Sequence, residues 1–181
     1  MNIVSIQAIN QTQREQAAQM LHEAFPHAWS VDDAWQEIDE ILQQCNDGEP
    51  EILAAMHDDK VIGWAGMIPT YDGHVWELHP LVVRCDWQGK GVGSALVQAI
   101  EEVARARGGL TLWAGSDDES NATNLANANL YDNLPQRLQG FNSGRHPTAF
   151  YQTLGFAIVG VMPDANGPGK PDIFMAKSLR K

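Results

Sequence analysis

Three glycines within five residues, Gly89, Gly91 and Gly93, lie between Gln88 and Ser94 in this chain of 181 residues. The run Leu78-His79-Pro80-Leu81-Val82-Val83 before them reads as a strand, and a helical pattern begins near Val92. Glycines at a strand-to-helix turn let the backbone approach a ligand closely and aim several N–H groups at one point. The helix that follows adds the positive end of its dipole. Such a turn suits a pyrophosphate, with Lys90 adding a charge at the rim. A tight connection without any ligand would also use glycines, so the turn alone leaves both readings open. Two standard nucleotide patterns do not fit. No Lys-Ser or Lys-Thr follows the last glycine, as a P-loop requires, and no acidic residue stands about 20 positions on at a strand end.

The elements around this turn can be read from periodicity and capping chemistry. Thr12-Gln13-Arg14-Glu15 has the form of a capping box, predicting a helix to about Ala24 that buries Ala17, Met20 and Leu21. Ser30-Val31-Asp32-Asp33 opens a second helix, with Ala34, Trp35, Ile38, Ile41 and Leu42 at helical spacing and Asn46-Asp47-Gly48 as its stop. Residues 51–57 and 60–68 read as a hairpin turning at Asp58-Asp59, and Gly63 and Gly66 mark close packing in its second strand. A central strand over 74–83 leads to the glycines. Val92, Leu96, Val97, Ile100, Val103 and Ala104 form the buried stripe of the next helix, which Gly108-Gly109 ends. A short strand is expected at 110–113. The polar stretch 115–146 follows as a long loop, anchored by Leu125, Leu130, Tyr131 and Leu134. Loops of that length in a compact domain are usually functional or disordered. A short helix over 147–154 and strands over 156–162 and 173–177 complete a single domain spanning 1–181.

Composition narrows the function. With 44% apolar residues the chain can bury a proper core. No apolar run nears the ~20 residues that cross a membrane, and the start Met1-Asn2-Ile3-Val4-Ser5 lacks the features of a signal peptide, so a cytoplasmic location is expected. Cys45 and Cys85 have no C-x-x-C spacing and read as reduced thiols, and the scattered histidines predict no metal site. Net charge is −11, and twelve of the 23 acidic residues fall between Glu15 and Asp59, where there is no Lys or Arg. A second cluster, Asp117-Asp118-Glu119, sits in the polar stretch. Nucleic acid and anionic membrane are poor partners for such a surface, whereas a small polycation would be steered to it. The same charges could equally serve solubility alone.

The order Gln-x-x-Gly-x-Gly, with Arg84 four residues upstream, resembles the acetyl-coenzyme A loop of the GNAT N-acetyltransferase superfamily. Four further runs strengthen the likeness: 76–81 (Trp-Glu-Leu-His-Pro-Leu), Gly115-Ser116-Asp117-Asp118, 146–156 ending in Leu-Gly-Phe, and 159–167 followed by Lys170-Pro171-Asp172-Ile173. Together they resemble the aminoglycoside 6′-N-acetyltransferase branch, from about Gly63 to Lys177, while the first sixty residues match only loosely. The resemblance implies an α/β fold, a mixed and mainly antiparallel sheet flanked by helices, with splayed central strands. It implies acetyl-coenzyme A as cosubstrate, held by Leu81, Val83, Gln88, Gly89, Lys90, Gly91, Val92, Gly93, Ser94 and Tyr151. It implies catalytic roles for a backbone N–H near Leu81 on the acetyl oxygen, Tyr151 as acid to the leaving thiolate, and Glu77 at the amine.

Acceptor binding would fall to Trp29, Glu77, His79, Asp117 and Asp118. Each has a plainer reading. Tyr151 could fill the core beside Phe150 and Phe156, Glu77 could be a surface carboxylate, and Asp117 and Asp118 could close an Asx turn. Trp29 could be a staple at a helix entry, and His79 could be structural, since Pro80 disrupts the strand beside it. Cys85 receives no role, because Arg84 is no base and an amine attacks a thioester without an enzyme nucleophile. The expectation is acetyl transfer to the 6′-amine of an aminoglycoside, conferring resistance, by a homodimer. Acetylation of another cationic amine (a polyamine, a protein N-terminus or a lysine) and a non-catalytic coenzyme A sensor are the alternatives.

Overall fold

The computed structural model describes residues 1–44 and 51–180. Cys45, the expected stop at Asn46-Asp47-Gly48, and the side chains of Ile41 and Leu42 lie outside the described residues. The chain forms two compact units, Met1–Leu112 with the segment from Leu179, and Trp113–Ser178.

In the first unit β1 (Asn2–Ser5), β2 (Glu51–His57), β3 (Lys60–Thr70) and β4 (Val75–Val83) pair antiparallel in that order. Asp58 and Asp59, at φ 47° and 59°, form the β2–β3 turn. Two positive φ values are the signature of the tight hairpin turn whose twist matches its strands. Three helices, α1 (Gln11–Ala24), α2 (Val31–Gln44) and α3 (Val92–Ala106), belong to this unit. The cap of α1 is Asn10 rather than Thr12. Asn10 Oδ1 accepts from Gln13 N at 3.0 Å and Gln13 Oε1 accepts from Asn10 N at 2.9 Å, a complete capping box. Gln13 also donates to the Asp59 carbonyl, tying α1 to the hairpin turn, a partner that local pattern could not supply. Ser30 caps α2 as expected, its hydroxyl accepting from Asp33 N at 3.1 Å. The core gathers Ile6, Leu21, Ile38, Ile52 and Trp64, all with no measurable exposure. The Trp64 indole donates to the Ala17 carbonyl at 2.9 Å, so its polar atom is satisfied on burial.

One irregularity in this sheet shapes β4. Ala65 pairs with Leu81 and Met67 with Leu78, so His79 and Pro80 together face Gly66 alone. A β carbon on Gly66 would lie 2.3 Å from the His79 carbonyl oxygen. Only glycine allows this bulge, and bulges re-aim the strand that carries them. Gly63 has a similar function for α3, since a β carbon there would meet Val92 Cγ1 at 2.9 Å.

The second unit orders its strands as β5 (Thr111–Asp117, most of which it contains), β7 (Asp172–Ser178) and β6 (Ala157–Met162), with β6 and β7 antiparallel. β5 is longer than expected and carries Gly115 and Ser116 within it. The polar stretch after it includes α4 (Leu134–Gln139), and α5 (Thr148–Thr153) follows. Leu125 and Leu130 anchor this stretch and Leu134 is half-buried, but Tyr131 is 76% exposed and anchors nothing. The Tyr131 N–H donates to Asn129 Oδ1, an Asx turn that reverses the chain at this point.

Candidate active site

The glycine-rich turn begins where β4 ends. Gln88 donates from its side chain to the Val83 carbonyl at 3.1 Å, fixing the turn against the strand. Gly89 and Gly91 have φ of 70° and 83°, and a β carbon on either would meet nothing within 4 Å. Space on that side is open, and the left-handed backbone is what requires glycine. Gly91 is the N-cap of α3 and no side chain caps the helix. Its first N–H groups are therefore left for an anion, as a pyrophosphate site needs. Val92 is buried, so it can meet a cofactor only through its N–H, whereas Gly93 and Ser94 are half-buried. Lys90 Nζ lies 5.1 Å from the Trp87 ring centroid. Arg84 pairs with Asp86 at 2.6 and 3.0 Å, and this hydrogen bond holds the Asp86 carboxyl below its usual range. Much of the Arg84 charge is thus matched inside the turn.

Along β4, Glu77, His79, Leu81 and Val83 alternate with the buried Trp76, Leu78, Pro80 and Val82. The bulge breaks the matching of faces, however: Glu77 pairs with Ile68, whereas Leu81 and Val83 pair with Ala65 and Gly63 on the opposite face of β3, so Glu77 lies on one side of the sheet and Leu81 and Val83 on the other. Leu81 is the first paired residue beyond the bulge, so the bulge sets the direction of its N–H. His79 is exposed and sits within electrostatic reach of Glu37 on α2. Burial raises the Glu37 pKa, His79 pulls it down, and Glu40 pushes it up. Glu37 was not singled out in the sequence, although Asp33, Glu37 and Glu40 have helical spacing that could have marked an acidic face. Trp29, half-buried, packs against the core cluster, which is what a staple at the entry to α2 does.

In the second unit Asp117 is exposed at the end of β5 and its carboxylate accepts from the Asn166 side chain. Asp118 differs completely. It has no exposure, and its carboxylate accepts from Ala122 N at 2.6 Å, Thr123 N at 2.9 Å and the Thr123 hydroxyl at 2.7 Å. Burial works to raise its pKa, but the bonds from Thr123 and Ala122 together outweigh it and the value falls. Asp118 therefore organises the loop from within, through donors four and five residues on rather than the N–H two residues on that an Asx turn would use. His146, buried at 2% exposure, reaches the Asp117 carbonyl at 3.0 Å and the Thr148 hydroxyl at 3.2 Å. Asp172 accepts from Ser116 N at 2.8 Å, and a β carbon on Gly115 would lie 3.0 Å from its Oδ2. Burial, then the neighbouring Asp117, raises the Asp172 pKa. Asp172 and His146 stand inside the quoted motifs, yet their roles depend on partners 56 and 29 residues away.

Tyr151 lies on α5 at 8% exposure, its ring 5.3 Å from Phe150 and 5.4 Å from Phe156 between centroids. Burial pushes its phenol up to about 12. The phenol is therefore a proton donor throughout the neutral range. Among the described residues no group of three His, Cys, Asp or Glu could hold a metal ion. No helix among them is long and apolar enough to cross a membrane.

The model of the acetyltransferase (GNAT) family matches residues 14–134. The chain belongs to that family, and its α/β architecture, with a mainly antiparallel sheet and flanking helices, is the family's. It is an acetyltransferase whose acetyl donor is acetyl-coenzyme A. Among solved structures, an aminoglycoside 6′-N-acetyltransferase complexed with coenzyme A is 35% identical, with a TM-score of 0.93, and covers 100% of this chain and 98% of its own. The aminoglycoside 6′-N-acetyltransferase from Enterococcus faecium is 34% identical with a TM-score of 0.90, again covering 100% and 98%. An aminoglycoside 6′-acetyltransferase type Ii is 32% identical with a TM-score of 0.77, covering 100% and 99%. No curated protein matches the chain.

Proposed function

We propose that this acetyltransferase moves acetyl from acetyl-coenzyme A to the 6′-amine of aminoglycosides. The observation that carries the reading is the full-length likeness to three enzymes named for that reaction, at 32–35% identity. The glycine turn and the uncapped start of α3 bind the pyrophosphate. The Leu81 N–H binds the acetyl oxygen, where a donor fixed on the developing charge needs no reorganisation during reaction. Glu77 holds the arriving ammonium and passes its proton to water. The free amine then attacks the thioester carbonyl, the carbon–sulfur bond breaks, Tyr151 protonates the departing thiolate, and the proton that the new amide nitrogen sheds passes through water to restore the phenol.

Asp117 is the exposed member of its pair and meets a further ammonium group, while Asp118 supports it through the loop. His79 meets the acceptor through its imidazole, and Glu37, within electrostatic reach of His79, adds a carboxylate to the acceptor side. Trp29 serves this side by anchoring the entry to α2. Resistance to these drugs, a cytoplasmic location, a homodimer and one functional domain over the whole chain go with this reading.

A matched pair of acceptors tests it. An aminoglycoside with a 6′-amine should release coenzyme A thiol, and its 6′-hydroxyl analogue should bind but release little. The analogue keeps most of its charge and loses the nucleophile aimed at the thioester, and proximity helps only aligned atoms. Equal rates, or acetyl found on another amine by NMR of the product, would overturn the 6′ assignment. Turnover of polyamines or peptides in preference to either would move the activity to another cationic amine.

A further inference from the structure

Residues 127–131 and the turn 164–169 of the second unit enclose an open pocket of about 360 Å³ that none of the roles above uses. Its lining includes Asn127, Asn129, Tyr131 and Asp164, and no Lys or Arg. We propose that this pocket is a subsite for one amino-sugar ring of the acceptor, other than the ring that is acetylated. The proposal rests on the reading above and deepens it.

Four observations point to such a ring. The first is Tyr131. A tyrosine 76% exposed at a pocket wall offers a flat apolar face with a polar tip, the surface on which the C–H face of a sugar stacks. The second is the polar set. Asn127, Asn129 and the tyrosine hydroxyl supply donors and acceptors for ring hydroxyls, and Asp164 supplies a negative charge for an ammonium.

The third is bracing. Asn127 N donates to the Gly169 carbonyl at 2.9 Å and Gly169 N to Asp164 Oδ1 at 2.7 Å. The Asn129 amide donates to Asp132 at 2.7 Å, and the Asn127 amide to Asn121 at 3.0 Å. Walls tied in this way need little ordering when a ligand binds. The fourth is continuity. Asn166, in the same turn as Asp164, donates to the carboxylate of Asp117, the acceptor-side residue. One short turn thus joins the pocket to an acceptor contact. A volume near the lower end of ligand sites suits one ring rather than a whole drug.

The test compares a two-ring acceptor carrying a 6′-amine with a four-ring acceptor that contains the same two rings. Thiol release is measured for wild type, Tyr131→Ala, Tyr131→Trp and Asp164→Asn. Tyr131 is exposed, so its truncation should leave the fold intact. Asp164 has φ 55°, which asparagine tolerates, and Asn keeps an oxygen for Gly169 N. The KM of the four-ring acceptor should rise about tenfold in Tyr131→Ala and Asp164→Asn, and return in Tyr131→Trp. Its kcat, and both constants for the two-ring acceptor, should not move. Unchanged kinetics for both acceptors, or equal losses for both, would overturn the subsite. If wild type turns over neither acceptor, the proposed activity fails, and the pocket is then judged by saturation-transfer NMR with a free two-ring amino sugar. Saturation that wild type shows and Tyr131→Ala lacks would uphold it, and no saturation in wild type would sink it.

Discussion

Tyr151 shows how a single environment sets a residue's chemistry. Its ring is enclosed by Phe150 and Phe156, and burial moves the phenol from 10 to about 12. Tyr151→Phe should lower kcat and leave the affinity for acetyl-coenzyme A unchanged. A positioned acid contributes about 10²–10⁴-fold, and a thiolate that leaves readily puts the loss at or below the lower end. The sign of the shift gives a second check. A folded pKa above the unfolded value of ~10 means stability that is complete below pH 10 and lost as pH rises through 12, by roughly 2–3 kcal/mol. Melting temperatures measured from pH 9 to 12 should therefore fall less steeply in Tyr151→Phe. Any alkaline fall in wild-type turnover below pH 10 belongs to another group and should persist in the variant.

At the scale of elements, two glycines control where the strand and the helix deliver their N–H groups. Gly91→Val places a branched residue at φ 83°, a conformation that L side chains rarely adopt. The start of α3 must then move, and coenzyme A binding measured by calorimetry should weaken at least tenfold, about 1.4 kcal/mol. Unchanged affinity in a folded variant would remove the turn from the cofactor site. Gly66→Ala acts on the bulge instead, because its β carbon would overlap the His79 carbonyl. Pairing between β3 and β4 should shift there, and kcat should fall by more than KM changes as the Leu81 N–H leaves its position. Urea denaturation should report a loss of about 1–3 kcal/mol, the usual cost of overpacking. Both glycines could be marked from sequence, since a turn and a close approach are the two needs that glycine serves. What Gly66 approaches could not be read, because His79 is distant along the chain and meets it only through strand register.

Over the whole molecule the net charge of −11 is concentrated in regions that supply no cation of their own, with no Lys or Arg from Glu15 to Asp59. If these charges gather a polycationic acceptor, its KM should climb with added salt, since exposed charges are screened beyond ~8 Å at physiological ionic strength. Asp117→Asn should raise KM at low salt and flatten that dependence. A salt-independent wild-type KM would assign the charge to solubility. Asp118→Asn provides a contrast. Its carboxylate is buried on Ala122 and Thr123, so its loss should appear in thermal stability before it appears in salt dependence.

Residue order alone determined most of the elements and the glycine turn, because periodicity, capping types and glycine spacing act over a few residues. The hairpin at Asp58-Asp59, the stripe of α3 and the glycines after Gln88 are all of this kind. Tertiary structure decided what adjacent or identical residue types do. Asp117 and Asp118 are the same residue one position apart, yet one faces solvent and the other has no exposure. Tyr131 and Leu130 both looked like anchors, and only the leucine is buried. Asp172 gained its place by accepting from Ser116, 56 residues away. Burial and long-range hydrogen bonding are properties of a position in the folded chain, and no local pattern encodes which of two similar side chains will meet a distant partner.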